Sequence, residues 1–388
     1  MLHTEKSKPF RQEVLSVGLM FLRIVGLWGT DSRKWYRLMV IWFVIITLPP
    51  KMILGSGKDT FESFARNVTE VIFTCENCAW IVIFAYRRES FQLLVETLEC
   101  FLNRDWSSEL RVQIETFIGQ MHKLAKYYAV YIGVMSLFFI SIPIVSTVVK
   151  LCYYTKAERG EFFLVTETNF YGLDTRRDLV PYVIFTILGT VGGSCCGFTV
   201  LLKGVIAQVA IRYGAKLFEI VSKRINAMEQ MAEPDQRKRE LLEIIELHNL
   251  ALKYLRHLEF TISISLLNIT LSCLFMWCLL MFYLSKDAGG PNGVCVLILF
   301  IVTLVEMTIY SVNGTNLQNK AYEVANAIYQ YPWHRESIGM QQAVRFIIQK
   351  AQRPAGITAG KFHYIDLQQL GSMIQASYSY YLILKDRF

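Results

Sequence analysis

The sequence predicts an all-α membrane protein with seven transmembrane helices, N-terminus intracellular and C-terminus extracellular, and a cytoplasmic helical anchor bundle. Three observations predict it. Apolar stretches of membrane length recur along the chain, lysine and arginine concentrate in alternate connections, and the long connections carry helical amphipathic patterns of their own. Hydrophobic residues make up 53% of the 388 and charged residues only 19%, against about a quarter charged in ordinary soluble domains. Mean hydropathy is positive at +0.33. A reading as two or three soluble domains is thereby excluded.

A helix needs roughly 20 apolar residues to cross about 30 Å of hydrocarbon. Lipid offers backbone amides no partners, so such stretches must be helical. They cover 36–54, 68–86, 127–152, 179–211, 260–284, 294–314 and, in weaker form, 362–384. The fourth is longer than a bilayer is thick and is expected to project into water. The seventh is interrupted by Ser, Gln and Tyr, a composition suited to a helix lining a wet or protein-buried path. Ahead of the first, 1–11 is polar and basic, and no signal peptide is expected. Segment 14–28, broken by Ser16, Gly18, Arg23 and Gly26, reads as an amphipathic helix on the membrane surface, with a short re-entrant segment as the alternative.

Orientation follows from the positive-inside rule. With the N-terminus inside, the segments 1–35, 87–126, 212–259 and 315–361, together with Arg37, hold 28 Lys and Arg, and the opposite side holds 11. Seven spans then place the C-terminus outside. This inverts a G-protein-coupled receptor. Neither an Asp/Glu-Arg-Tyr after the third span nor an Asn-Pro-x-x-Tyr in the seventh is present, so no G protein is expected.

Within 212–259, Leu217, Ile220, Val221, Ile225 and Met228 recur at helical spacing, and after Pro234 so do Leu241, Ile244, Ile245, Leu247, Leu255 and Leu258. Charged residues fill the other faces, as in amphipathic helices. Segments 323–329 and 337–349 repeat the pattern. Such helices are either solvated extensions or a bundle through which subunits associate. The organisation is therefore a cytoplasmic N-terminal segment (1–35), four spans (36–211), a cytoplasmic helical extension (212–259), the fifth and sixth spans (260–314), a cytoplasmic anchor segment (315–361), and a seventh span with the extracellular C-terminus (362–388).

Nothing in the chain points to catalysis. Glycine-rich phosphate loops, Gly-x-Ser-x-Gly and His-Glu-x-x-His are absent, and the six histidines lack metal-ligand spacing. No enzyme activity, cofactor, metal or nucleic-acid partner is expected. Cys75 and Cys78 have redox-motif spacing but lie inside a span, where small packing residues are the simpler reading. Asn67 opens a glycosylation sequon at the very edge of the second span. Gly189, Gly192, Gly193 and Gly197 in the fourth span fit close helix packing. They also leave a secondary transporter open as an alternative, although no second half repeats the pattern.

The last third of the chain carries an ordered set of motifs: GTNL at 314–317, AIYQYPW at 327–333, QRP at 352–354, TAGKF at 358–362 and SYSYYLIL at 377–384. In this order they closely resemble the insect odorant receptor family. The specific motifs occupy roughly the last 80 residues, and the topology agrees over the whole chain. The sister gustatory receptors end in Thr-Tyr-x5-Gln-Phe. Here 379–387 reads SYYLILKDR, which favours the odorant branch over a co-receptor-independent, gustatory-type channel. The second cytoplasmic loop also lacks the long insertion of the family's shared co-receptor.

The resemblance implies an odour-tuning subunit of a heterotetrameric, odorant-gated, non-selective cation channel assembled with that co-receptor in the plasma membrane of olfactory neurons. It implies a pore along the seventh span, closed by dewetting at Ile383 with Leu384 adjacent, and Asp386 and Arg387 at the outer mouth. An Arg there disfavours cation flow in a homotetramer, and so favours dilution by co-receptor. It also implies a site for a small volatile ligand in the outer half of the membrane, among the second, third, fourth and sixth spans. Inward faces at helical spacing nominate Phe73, Thr74 and Asn77; Phe138, Phe139, Ile142 and Ser146; Tyr182, Phe185 and Leu188; and Cys295, Ile298 and Val302. Thr74 and Asn77 stand out because polar groups inside a membrane need partners.

Overall fold

The computed structural model describes residues 16–24, 28, 60–155, 160–167 and 172–387. The first expected span, 36–54, lies outside them. Their helices are α1 (Ser16–Ile24), α2 (Phe61–Tyr86), α3 (Arg88–Leu102), α4 (Ser108–Tyr153), α5 (Leu179–Met228), α6 (Pro234–Lys286), α7 (Pro291–Gln330), α8 (Ile338–Ala351) and α9 (Leu367–Arg387). A short hairpin with two residues in each strand, β1 (Thr358–Ala359) against β2 (His363–Tyr364), precedes α9. Among the described residues, α2, α4, α5, α6 and α7 are long and apolar enough to cross a membrane.

Local chemistry sets the ends. Thr60 and Ser107 accept from the amides of Ser63 and Leu110 at the starts of α2 and α4. Pro234 and Pro291 open α6 and α7, where a missing N–H costs nothing. The two longest helices, α5 with 50 residues and α6 with 53, each extend about 75–80 Å, well beyond a bilayer. Their apolar lengths continue unbroken into the amphipathic ones read in 212–259. At one end of the molecule, here the bundle end, α3, α8 and the amphipathic lengths of α4–α7 enclose a core that includes Leu98, Phe101, Phe218, Ile225, Leu247, Leu258, Val324 and Val344. The opposite, loop end carries the connection between α4 and α5.

α1 does more than lie along a surface. Leu22 is fully buried, and Phe21 meets Phe198 of α5 edge to face at 5.8 Å. The seventh stretch also differs from its expected start, because 358–364 forms the hairpin and helix begins only at Leu367. Gly360 (φ 57°) and Lys361 (φ 66°) turn that hairpin through the left-handed region. A Cβ at Gly360 would sit 2.6 Å from Leu267 Cδ2. The chain then crosses α7 so closely that a Cβ at Gly314 would collide with the Ile365 carbonyl oxygen, and Thr315 Oγ1 accepts from the Leu367 amide at 3.0 Å. α9 buries only Leu370, Met373 and Ser377. Ile374, Tyr378, Tyr380 and Ile383 remain exposed in the single chain.

Candidate functional site

Toward the loop end, four helices and the α4–α5 connection surround a partly open cavity of about 90 Å3. Phe73 and Thr74 come from α2, Ile132, Ser136, Phe139 and Ile140 from α4, Gly193, Cys196, Gly197 and Val200 from α5, and Ile298, Leu299 and Val302 from α7. Its size is of the order of the roughly 150 Å3 apolar cavity that holds benzene in an engineered protein. The glycines of α5 set the helix spacing. A Cβ at Gly197 would stand 2.5 Å from Ser136 Oγ, whereas one at Gly193 would meet Ile140 at an ordinary 3.6 Å.

The ceiling is polar and pinned. Thr166 closes the cavity, and the Glu167 amide donates to Glu70 Oε2 at 2.8 Å. Buried Arg66 donates to Glu70 Oε1 at 3.0 Å and to the carbonyls of Leu164 and Val165 at 3.1 and 3.2 Å. Ser63 donates to Glu167 at 2.9 Å, and Arg176 also pairs with Glu167. Two acids and two arginines thus neutralise one another while tying the connection to α2. The other polar groups at this wall are largely engaged too, since Thr74 donates back to the Glu70 carbonyl at 2.8 Å.

One helical turn from the floor, toward the bundle end, lies a second charged cluster. Phe73, Ile132, Val200 and Val302 give way at the next turn to Glu76, Tyr128, Lys203 and Glu306 on the same four helices. Lys203 Nζ donates to both Glu76 oxygens at 2.9 and 2.8 Å and stands 3.4 Å from Glu306 Oε1. Tyr310 donates to Glu306 at 2.8 Å, and Asn268 to the Glu76 carbonyl at 3.3 Å. All three charged side chains are at most 5% exposed. In hydrocarbon, such groups persist only when paired.

Of the residues nominated from sequence, Phe73, Thr74, Phe139, Ile298 and Val302 lie together around the cavity. Cys295 is buried next to it, its thiol 3.5 Å from the Phe139 carbonyl. Asn77 is buried and donates to the Phe73 carbonyl at 2.8 Å. Ile142 and Ser146 are half-buried nearer the α4 end, and Phe138 is half exposed on the outer face. Tyr182, Phe185 and Leu188 form a separate cluster with Phe162 and Leu164, beneath the connection. At the far end of α9, Ile383, Asp386 and Arg387 are exposed and Leu384 is half-buried.

Residues 60–378 match the sequence model of the family described as 7tm Odorant receptor. The chain belongs to the insect odorant receptor family. Odorant receptor 13a of Drosophila melanogaster is 21% identical, over 98% of this chain and 97% of that protein. Odorant receptor 67c of the same fly is 21% identical over 78% of this chain and 74% of its own. In structure, the receptor resembles the insect olfactory receptor OR5 from Machilis hrabei in complex with eugenol. The TM-score is 0.79 with 17% identity, covering 98% of this chain and 99% of that one. This likeness shows the fold. The receptor is thus a multi-pass membrane protein of a family of odorant receptors, not of enzymes.

Several residues of the cavity and its surroundings escaped sequence reasoning. Ser136, Ile140 and Cys196 follow from how α4 meets α5, which no single-helix periodicity reveals, and Gly193 and Gly197, read from sequence as packing residues, also line the cavity. The charged residues carried a readable signal. Glu70, Glu76, Lys203 and Glu306 are ionisable groups inside apolar stretches, and a charge at that depth calls for a partner.

Proposed function

We propose that the receptor is the odour-tuning subunit of a heterotetrameric cation channel formed with the family co-receptor in the plasma membrane of olfactory neurons. A small volatile ligand occupies the cavity among α2, α4, α5 and α7, and α9 lines the pore. The observation that carries this reading is the pairing of a concave, mostly apolar cavity with a helix whose outer face is left uncovered. The cavity has the concave, apolar character of a small-molecule site. α9 exposes Ile374, Tyr378, Tyr380 and Ile383 together, a face that a single chain does not cover and that neighbouring subunits around a central path would.

The N-terminus lies inside, so the loop end faces the exterior and the bundle end provides the anchor between subunits. Exposed Tyr322, Tyr329, Ile338 and Phe346 at that end support an association role. Gating is a population shift: ligand opens the channel only to the extent that it binds the open arrangement more tightly than the closed one. The motion displaces a wall of the cavity and draws α9 outward at Ile383.

Whole-cell current from cells expressing the chain alone, and with an insect odorant co-receptor, tests the reading against a volatile panel. Odour-evoked cation current only with the co-receptor is expected. Current from the chain alone would make it a self-sufficient channel, and silence in both with surface expression would turn attention to transport.

A further inference from the structure

Helical hydroxyls in these spans satisfy themselves: Thr74 at the cavity, and Ser194 and Thr199 elsewhere on α5, each donate back to the carbonyl four residues earlier, at 2.8 to 2.9 Å. Ser136 lies on the same kind of surface, one turn after Ile132, and makes no hydrogen bond to the described residues. Its hydroxyl faces Gly197 instead, where a Cβ would come within 2.5 Å of Oγ, and it lines the cavity.

A hydroxyl in a water-poor, apolar enclosure is unfavourable without a partner. Two other polar side chains at the wall are occupied. Glu70 is held by Arg66 and by the Glu167 amide, and Thr74 is spent on its own helix. Thr166 likewise makes no hydrogen bond to the described residues, but it sits on the connection rather than on one of the four helices.

We infer that Ser136 is the specificity-determining contact of this cavity, giving a hydrogen bond that separates a neutral, oxygen-bearing ligand from the hydrocarbon of the same shape. The inference rests on the cavity being the ligand site. Gly193 has a complementary part. A methyl there meets Ile140 at ordinary contact distance, so Gly193→Ala keeps the packing while taking space from the cavity.

The test uses matched probes, benzyl alcohol against ethylbenzene and cyclohexanol against methylcyclohexane, on cells co-expressing the receptor and co-receptor. The wild type is expected to respond more sensitively to each alcohol. Ser136→Ala is expected to remove roughly 2- to 10-fold of that preference, the worth of one neutral hydrogen bond, by weakening the alcohol response more than the hydrocarbon response. Ser136→Thr should retain the preference. Gly193→Ala should weaken both members of each ring pair together. Equal loss for alcohol and hydrocarbon in Ser136→Ala would make the residue a packing element and overturn the inference, as would an unaltered preference.

Ligand-induced shift of the thermal midpoint of the purified receptor reads binding apart from gating. A receptor silent in current but stabilised by the alcohols, through Ser136, would overturn the channel reading and leave this one standing. A midpoint that neither member of a pair moves would overturn this one.

Discussion

Among the described residues, Lys203 is the single cation facing two buried carboxylates, and replacing it with methionine isolates what the cluster contributes. Methionine approximates the length of the lysine stem and leaves no cavity, so the effect is electrostatic. In the native receptor, Glu76 takes two hydrogen bonds from Nζ and Glu306 lies 3.4 Å from it. In Lys203→Met, both acids lose that partner, and Glu306 retains only Tyr310 among the contacts described above. Breaking one side of a buried pair costs about 3–5 kcal/mol, which corresponds to roughly 4–6 °C in thermal midpoint for a chain of this length. Removing all three charges, as in Lys203→Met with Glu76→Met and Glu306→Met, should restore much of the loss, because an apolar replacement of a whole buried network is often neutral or stabilising. Thermal unfolding of purified receptor, with surface expression alongside, is the assay. A midpoint of Lys203→Met within about 1 °C of wild type, or a triple variant worse than the single one, would refute the argument.

Four further outcomes are expected. His248 is buried near Lys350, and burial foremost, then that charge, pushes its pKa down from 6.5 to about 4. The unfolded chain therefore binds the extra proton first, so this contribution is complete above pH 6.5 and is lost as pH falls toward 4, up to about 3 kcal/mol. Midpoints measured across that window should fall less steeply in His248→Gln than in wild type. Asn67 is 4% exposed within α2, so endoglycosidase treatment should leave the apparent mass unchanged at that sequon. Glu167→Ala removes the carboxylate that ties the α4–α5 connection to Ser63 and, in part, to Arg66 of α2, and should speed both onset and washout of ligand-evoked current several-fold. Ile383→Ala should raise basal current and alter gating, and an unchanged leak with unchanged gating would count against a constriction at that position.

The membrane-length helices were legible because each is encoded by its own run of residues. The same holds for the amphipathic continuations of α5 and α6, since period and charge are local properties. The cavity was only half legible. Phe73, Thr74, Phe139, Ile298 and Val302 could be named from depth and face, but which residues of α4 oppose which of α5 depends on helix rotation. That rotation is set by Gly193 and Gly197 against Ile140 and Ser136. Tyr182, Phe185 and Leu188 are nominated by the same depth and face, whereas the fold uses them to seat Phe162 and Leu164 of the connection. The start of α9 was misplaced by five residues because Phe362 extends the apolar pattern, while Gly360 and the hairpin interrupt the helix for a tertiary reason. The terminal motifs acquire a physical meaning from the same region. Gly314 and Thr315 receive the chain as it crosses α7, and Thr358 donates to Glu259 at 2.8 Å.

That crossing makes α9 a lever with a fixed fulcrum. Its first turn is clasped by Gly314 and Thr315, its middle is held along the stripe of Leu370, Met373 and Ser377, and its tip is unsupported within the chain. The stripe ends at Ser377, so the free arm from there to Ile383 is about 9 Å long. A swing of about 10° at Ser377 carries the tip through roughly 1.6 Å while the clasped and held lengths stay in place. Larger travel at Ile383 requires the stripe itself to slide on α6, where Ser377 donates to the Leu274 carbonyl, so the grip of that stripe sets the gain.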